Sequence, residues 1–427
     1  MDTQVHTTDT ERQVTPAQQE KPGRSFSRGR DVERKDPIFE EKITLHADKK
    51  PAAPLRCGSM DMTFLLIVLG LLLFGVIMSY SASSIYSEQN VGESTYYIKR
   101  HLLFVMLALA VTVPFVWRAK PWFWRFFGLC TYGGAILLLI AVQFIGLSEG
   151  DAQRWIQVGP ITIQPSEIAK TGVVMTMALL MTKFEKQIMS DHKFGGNFKY
   201  GVMVPGVCLG LIVLLVAAER HISGVMIICM IGAFVMFLGG TRMRWITLLG
   251  GAVVVMGALL ITFSSYADTR MDIWLRIEEL DPLGEAWQTL QGLYAIGSGG
   301  LFGLGLGNSR QKFGYVSEPQ NDFIFTIICE ELGFFGAATV LLLFGLLLWR
   351  GFKIAAAAPD KFCALTVYGL VFKTVLQALL NIAVVTNSMP NTGISLPFFS
   401  SGGTALIIQI FEMGIILNIS RFSHTDK

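Results

Sequence analysis

The sequence predicts an all-α polytopic membrane protein with ten transmembrane helices and a large extracytoplasmic loop between helices 7 and 8. Of its 427 residues, 52% are hydrophobic and only 16% are charged, and the mean hydropathy is +0.50. Because a soluble domain carries about 25% charged residues, this composition excludes an ordinary soluble protein. The net charge of +3 is close to balance, so we expect no nucleic-acid partner.

The chain before the first apolar segment is polar. Residues 1–55 carry charges of both signs between Pro, Gln and Thr, and they lack the apolar core of a signal peptide. This composition predicts a disordered cytoplasmic N-terminal tail. The membrane domain is predicted at 56–421, and a short cytoplasmic C-terminal tail at 422–427.

Ten apolar segments follow the tail, each long enough for a hydrocarbon core of about 30 Å, which takes roughly 20 residues to cross. The predicted spans are 62–84, 101–117, 126–146, 168–183, 200–218, 223–240, 245–265, 323–349, 364–386 and 404–420. The fourth span is short and begins with polar residues.

Lys and Arg in the short loops predict the orientation. One set of loops carries twelve of them: Arg118, Lys120, Arg125, Lys183, Lys186, Lys193, Lys199, Arg242, Arg244, Arg350, Lys353 and Lys361. Basic loops face the cytoplasm, so both termini are expected inside. The loops 147–167, 266–322 and 387–403 then lie outside, and loops of this length in a compact domain are usually functional or disordered. Their composition favours function.

The loop 266–322 contains a helical pattern and a glycine-rich stretch. Leu283, Trp287, Leu290 and Tyr294 recur at helical spacing, which predicts either an amphipathic helix in the membrane interface or a helix packed beneath the loop. Residues 297–307 contain six glycines. Such backbone can approach a ligand closely.

Ionisable residues in or beside apolar spans are candidates for function because burying them in a membrane is costly. Glu167 follows Pro165 at a helix start, and it can pair with Lys170 three residues later. Glu330 and Glu331 are expected to hold helices together. The remaining candidates of this kind are Glu219, Arg220, Asp322, Lys373 and Glu412.

Asp322 precedes the apolar run that starts at Phe323, and residue chemistry leaves two roles open for it. Aspartate is a preferred helix N-cap. A carboxylate at the boundary between a wet loop and a membrane span can also act as a general base. Outer-side cations indicate an anionic, phosphate-bearing ligand nearby: Arg154, Lys170, Arg220, Arg270, Arg276, Arg310 and Lys312.

Five stretches together resemble the SEDS (shape, elongation, division and sporulation) family of FtsW, RodA and SpoVE. They are VIMSYSASS (76–84), AQRWIQVGPITIQPSEIAK (152–170), DPLGEAWQTLQGLYAIGSGGLFGLGLGNSRQK (281–312), EPQNDFIFTIICEELG (318–333) and NSMPNTGISLPFFSSGG (387–403). The likeness is greater to the division and sporulation members than to the elongation members.

The resemblance implies ten transmembrane helices and polymerisation of lipid II into glycan strands at the outer face of the bacterial cytoplasmic membrane. It places the essential aspartate on Asp322, with undecaprenyl pyrophosphate as the leaving group. The candidate substrate contacts are Arg154, Glu167, Lys170, Glu219, Arg270, Gln288, Gln291, Ser298, Gly299, Gly300, Gln311 and Glu318.

The resemblance also implies partners and a location. We expect a class B penicillin-binding protein with transpeptidase activity, divisome membrane proteins, and a place at the division septum. The departing pyrophosphate needs positive charge, either from Arg and Lys or from a divalent cation, Mg²⁺ or Mn²⁺, for which Asp322 is the candidate residue; no organic cofactor is expected. The six cysteines and six histidines are dispersed without a CxxC pair, so neither a disulfide framework nor a zinc site is predicted.

Two other classes stay open. A lipid flippase or secondary transporter would suit ten spans with intramembrane charges, although such proteins often carry internal repeats, which this chain lacks. A scaffold that only recruits a transpeptidase would not need Asp322.

Overall fold

The computed structural model describes residues 57–149, 152–159, 161–190, 196–251, 265–281, 283–284, 286–401 and 403–422. The predicted tail at 1–55 lies outside the described residues, as does most of the tail at 422–427. The chain divides into the units Met1–Pro54 and Leu55–Lys427, and the description below concerns the second unit.

Twelve labelled helices and three strands make up the described part of this unit. The helices are α1 Met62–Val91, α2 Tyr96–Arg118, α3 Pro121–Ile145, α4 Pro165–Lys183, α5 Glu185–Met189, α6 Gly196–Ala218, α7 Ile222–Gly239, α8 Ser265–Leu275, α9 Trp287–Ser298, α10 Ile324–Ala356, α11 Lys361–Val385 and α12 Gly403–Ser420. The strands are β1 Leu147–Glu149, β2 Ala152–Val158 and β3 Ile161–Ile163.

Eight of the described helices are long and apolar enough to cross a membrane, namely α1, α2, α3, α6, α7, α10, α11 and α12. The protein is therefore a multi-pass membrane protein. The seventh predicted span, 245–265, lies mostly outside the described residues. Its first part belongs to a described helical segment, 243–251. The total of ten helices stays a prediction.

Helix α4, which corresponds to the fourth predicted span, lies in the centre of the bundle. Fourteen of its nineteen residues are buried, and it packs against α3, α6, α7 and α11. A Cβ on Gly172 would lie 2.9 Å from Cα of Tyr132 in α3, so this glycine permits close approach of the two helices. Because α4 faces protein on most sides, it can carry polar residues without exposing them to lipid.

The predicted loop 147–167 contains a small antiparallel sheet in the order β1-β2-β3. Leu147 pairs with Trp155, and Ile156 pairs with Ile163. The strands have three to seven residues, which is too short for an alternating pattern to stand out in the sequence. The sheet leads directly into α4 at Pro165.

Ion pairs lie at the opposite end of the bundle, which we call the basic end. Arg350 pairs with Asp61 at 2.8 Å, and Lys361 pairs with Glu185 at 3.0 Å. The backbone N–H of Gly58 donates to a carbonyl just beyond α12. The start of α1 and the end of α12 therefore meet at this end.

Candidate functional site

Asp322 lies in a turn immediately before α10. The helix begins at Ile324 and its N-cap position is Phe323, so Asp322 lies one residue before the position that a capping aspartate would occupy. Its side chain is half-buried. A Cβ added to Gly393 would lie 3.1 Å from Oδ2 of Asp322, so the carboxylate faces the backbone of another segment directly.

That segment, residues 387–401, is called the hub loop here because four elements bind it. Asn381 in α11 donates from Nδ2 to the carbonyl of Ile394, and Ser223 at the start of α7 donates from Oγ to the carbonyl of Thr392 at 3.0 Å. Trp274 in α8 donates to the carbonyl of Asn387. The fourth element is the turn that contains Asp322. The predicted outer loop 387–403 is therefore ordered by side chains from around the bundle.

The Asp322 turn (residues 318–323) is fastened to the hub loop by two serines. Ser400 donates from Oγ to the carbonyl of Asn321 at 2.8 Å, and Ser401 donates to Oδ1 of Asn321 at 2.7 Å. Asn321 in turn donates from Nδ2 to Oε2 of Glu318 at 2.8 Å. Glu318 is exposed and has a φ of 48°. The predicted acids Glu318 and Asp322 thus share one turn.

Glu167 and Lys170 form the ion pair that their spacing predicts. Nζ of Lys170 lies 2.6 Å from Oε1 of Glu167, and it also donates to Oε1 of Gln377 at 2.8 Å. Both charged side chains are buried. Gln377 donates onward from Nε2 to the carbonyl of Ser395 in the hub loop at 3.2 Å. The predicted pair is therefore linked to the loop that faces Asp322.

A small polar cavity lies beside this pair. Its lining includes Glu167 in α4, Gln377 in α11, Gln409 in α12, and Ser395 and Ser400 in the hub loop. Ser400 also binds the Asp322 turn. The cavity therefore connects the buried ion pair with the turn that carries the candidate base.

A second buried ion pair lies deeper in the bundle. Lys373 in α11 contacts both carboxylate oxygens of Glu412 in α12 at 2.7 Å, and Thr171 in α4 donates to the same carboxylate at 2.5 Å. Both charged residues are almost fully buried. Sequence reasoning marked them as candidates, but it could not pair residues 39 positions apart.

The turn between α6 and α7 holds a buried carboxylate. Glu219 is 2% exposed, and neither of its oxygens has a hydrogen-bond partner in the described chain. Burial raises the pKa of Glu219 to about 8, and the charge of Arg154 opposes that rise. Arg154 also donates to the carbonyl of Arg220 at 2.6 Å. Arg154 and Glu219 therefore meet at this turn, as two of the predicted substrate contacts.

Helix α10 is interrupted at Gly333, whose φ of 64° and ψ of −159° are not helical. The glycine-rich stretch crosses the helix at this break. Leu304 donates its N–H to the carbonyl of Glu330, and Phe334 donates to the carbonyl of Gly300, each at 2.9 Å. Backbone groups freed by the break are thereby satisfied. The sequence did not predict this break.

Glu330 and Glu331 lie beside this break and hold the loop that follows. We call Ser81, Ser309, Lys312, Glu330 and Glu331 the carboxylate clasp. Glu330 accepts from Oγ of Ser309 at 2.5 Å, while Glu331 accepts from Nζ of Lys312 at 3.0 Å and from Ser81 of α1 at 2.6 Å. Both acids are buried. Contacts to the loop and to α1 agree with the structural role expected of them.

Helix α9 combines the two arrangements that the sequence left open. Its buried residues include Thr289, Gln291 and Ala295, and the helix packs against α10. Tyr294 on another face is 57% exposed. A packed helix with one exposed aromatic face results.

Other predicted contacts are spread over α8, α9 and the loop that follows α9, and one of them, Gln288, bonds to the residue just before the Asp322 turn. Ser298 is exposed and donates to the carbonyl of Ala295, and a Cβ on Gly299 would lie 1.9 Å from the carbonyl oxygen of Cys329. Gln288 donates to the carbonyl of Ser317 at 3.3 Å. Arg270 is half-buried in α8, and Gly300 is exposed just beyond α9. Gln311 is half-buried in the loop that contains Ser309 and Lys312 of the carboxylate clasp.

The described residues contain no group of three or more His, Cys, Asp or Glu side chains that could hold a metal ion. The chain's own donors around Asp322 therefore do not fit a protein-built metal site, and a cation there would need ligands from a bound phosphate.

Comparison with known proteins decides the family. The model of the cell cycle protein family that unites FtsW, RodA and SpoVE matches residues 62–425. The chain belongs to this family. Stage V sporulation protein E of Bacillus subtilis is 36% identical over 86% of this chain and 98% of its own length. The probable peptidoglycan glycosyltransferase FtsW of Trichlorobacter lovleyi is 34% identical over 86% and 94%.

Two solved structures have the same fold as this FtsW/RodA/SpoVE family member. One is a chain from a structure that concerns the coordination of polymerization and crosslinking by a peptidoglycan synthase complex. It has a TM-score of 0.69 and is 25% identical to this chain, over 86% of this chain and 99% of its own length. The other is rod shape determining protein RodA of Thermus thermophilus, with a TM-score of 0.62 and 23% identity over 86% and 98%. The second likeness shows the fold alone.

Sequence reasoning missed the neutral polar residues of this family member's site. Gln377 and Asn381 bind the hub loop from α11, and with Lys373 they are spaced four residues apart. Residues at this spacing share one helix face. That polar stripe in an otherwise apolar span was the signal that could have found them.

Proposed function

We propose that the protein is a peptidoglycan glycosyltransferase that polymerises lipid II, with Asp322 as the general base. The observation that carries this proposal is the Asp322 turn, where a half-buried carboxylate faces the hub loop beside a small cavity lined by Glu167, the partner of Lys170 in a buried ion pair. Membership of the family and the names of the relatives support the reaction class.

The chemistry needs one carboxylate. The acceptor is a sugar hydroxyl, whose proton passes to the Asp322 carboxylate as its oxygen forms a bond to the anomeric carbon of the donor. The bond from that carbon to the pyrophosphate oxygen breaks, and undecaprenyl pyrophosphate leaves with the electron pair. Positioned general bases contribute roughly 10²–10⁴-fold. The leaving group is already acidic, so the second carboxylic acid of a glycosidase is not required.

The cationic groups near the turn suit the leaving group. Lys170 is linked through Gln377 to the hub loop, and Arg154 lies by the α6–α7 turn. We propose that these two cations offset the negative charge that develops on the leaving group. If a divalent cation, Mg²⁺ or Mn²⁺, takes part, Asp322 is the residue here that would hold it, and the cation would offset negative charge on the pyrophosphate leaving group. Metal-dependent polymerisation, measured after chelation and readdition, tests it separately.

The membrane arrangement follows from charge. We infer ten transmembrane helices, with the basic end and both termini cytoplasmic, and the large loop between helices 7 and 8 outside. The hub loop and the Asp322 turn would then face the outer surface of the bacterial cytoplasmic membrane. The expected partners are a class B penicillin-binding protein and divisome membrane proteins at the division septum, because the greater likeness is to division and sporulation members.

Purified Asp322→Asn protein tests the base assignment in a lipid II polymerisation assay. We expect glycan strands to fall at least ~10²-fold, the lower end of what a general base supplies, while the protein stays folded. Asp360→Asn is the matched control, because Asp360 caps α11 at the basic end through a 2.7 Å bond from the N–H of Cys363 and asparagine also caps well. Strand synthesis by Asp322→Asn at the wild-type rate would contradict the proposal.

A flippase is the second candidate, and the buried pairs Glu167–Lys170 and Lys373–Glu412 favour it, since intramembrane charges often mark transport pathways. A proteoliposome preparation assayed for both strand synthesis and lipid II translocation separates the two. Translocation without synthesis would favour the flippase. Cells that grow normally on Asp322→Asn as their sole copy would favour a scaffold.

A further inference from the structure

We propose that Asn381 is a positioning residue for the Asp322 carboxylate, an inference that rests on the proposed function. Asn381 lies in α11 and is fully buried. Its Nδ2 donates to the carbonyl of Asp322 at 2.7 Å and to the carbonyl of Ile394 at 2.6 Å. Carbonyl oxygens only accept, so these two partners fix which end of the amide faces them. One side chain therefore joins the Asp322 turn to the hub loop.

Both of these bonds control where the carboxylate lies. The first holds the backbone of Asp322 itself. The second holds Ile394, the residue after Gly393, and Gly393 is the backbone that Oδ2 of Asp322 faces. A catalytic group displaced by ~1 Å can lose roughly 10²-fold in rate. The two bonds of Asn381 hold the two segments that face each other here, the Asp322 turn and the hub loop next to Gly393. Both segments would have to stay in place for the carboxylate to keep its position.

Packing alone does not explain an asparagine at this position. Its Oδ1 is buried and has no partner in the described part of the chain, and leaving a buried acceptor unpaired is unfavourable. An apolar side chain of similar size would avoid that cost and would fill the same space in α11. The two donated bonds are therefore what the residue contributes.

The chain carries two matched controls at the basic end. Asn418 and Asn197 are also buried, and each donates from Nδ2 to two backbone carbonyls. Their acceptors, at 2.9–3.1 Å, are Val116 and Ala119 for the first and Ile188 and Gly240 for the second. Replacing either residue removes the same kind of donated bonds without touching the Asp322 turn. It also removes a bond accepted by Oδ1, from Nε1 of Trp124 for Asn418 and from the N–H of Arg242 for Asn197.

The test compares Asn381→Ala, Asn418→Ala and Asn197→Ala as purified full-length proteins, with rates of lipid II polymerisation divided by the folded fraction from size-exclusion chromatography. For Asn381→Ala we expect kcat to fall at least ~10²-fold with KM for lipid II within about threefold of wild type. The two control variants should keep kcat within about twofold, because a loss that is only structural changes the folded fraction. Asn381→Ser, which keeps one donor, should lie between wild type and Asn381→Ala.

Three outcomes would overturn the inference: equal kcat values for all three alanine variants, a loss that appears in KM alone, or a wild-type kcat for Asn381→Ser and Asn381→Ala. If Asn381→Ala does not fold, the Asn381→Ser value decides, since an unchanged kcat contradicts positioning. Asp322→Asn is measured beside them. Activity in Asp322→Asn would refute the proposed function, whereas an inactive Asp322→Asn with a fully active Asn381→Ala refutes only the role of Asn381.

Discussion

Replacing Lys312 with Met tests how strongly the carboxylate clasp holds the large loop. The substitution keeps a long side chain but leaves the fully buried Glu331 without its cation. Removing one partner of a buried ion pair costs about 3–5 kcal/mol. Ser81 and the N–H of Ser309 still donate to Glu331, so we expect the lower end, about 3 kcal/mol, for the loss in free energy of unfolding.

A double-mutant cycle isolates the interaction energy between Lys312 and Glu331. Glu331→Gln alone leaves Lys312 buried without its carboxylate, whereas Lys312→Met with Glu331→Gln removes the charge of both partners of the pair. The double variant should therefore be more stable than additivity predicts by about 2 kcal/mol or more. Unfolding in mixed detergent–SDS micelles, followed by tryptophan fluorescence, measures each corner of the cycle.

Lys361→Met is the matched control for the single substitution. Lys361 pairs with Glu185 at the same 3.0 Å distance, but the two side chains are 24% and 41% exposed. An exposed pair contributes at most about 1 kcal/mol. If Lys312→Met cost no more than Lys361→Met, or if the cycle were additive, the clasp would not be holding the loop by its buried charges.

Three further predictions concern stability. Gly333→Ala should destabilise the protein by more than about 3 kcal/mol, because the backbone conformation of Gly333 is open almost only to glycine and a Cβ would lie 2.4 Å from the N of Gly303. Thermal unfolding measures this loss, with Gly345→Ala as the control because a Cβ there meets open space. The pKa of Glu219 is about 8 in the folded state, which is above its unfolded value of about 4.5. Between these two pH values the folded state keeps a proton that the unfolded state has lost, so stability should fall as pH rises from about 4.5 to about 8. Glu219→Gln should not show this pH dependence. Thr171→Val removes a hydrogen bond to a buried carboxylate and should cost about 1.5–3 kcal/mol in the same unfolding assay, whereas no loss would show that Glu412 does not depend on it.

Local pattern was enough to predict much of the bundle. Apolar length predicted the eight described spans, and spacing predicted the Glu167–Lys170 pair. Both depend on neighbours in the chain. The carboxylate clasp was expected in outline because two acids so deep in a span need partners.

Features that depend on distant segments could not be predicted. The break at Gly333 is compensated by backbone from Gly300 to Gly305, which no local pattern in α10 reveals. The pairing of Lys373 with Glu412, and of Asn381 with the Asp322 turn, requires knowing which helices are neighbours. Neutral amides in an apolar span also lack the charge that draws attention to them.

The crossing of α10 by the glycine-rich stretch has a consequence for where the chain can change in length. Backbone hydrogen bonds on both sides of the break at Gly333 fix the alignment of residues 300–305 with α10. An insertion within 300–305 would therefore misalign these bonds and the carboxylate clasp that follows. Residues 276–281 and 283–284 form local turns, such as the bond from the N–H of Gly284 to the carbonyl of Asp281, and Leu283 is 79% exposed. An epitope tag or a fluorescent label in the large loop belongs there, upstream of α9.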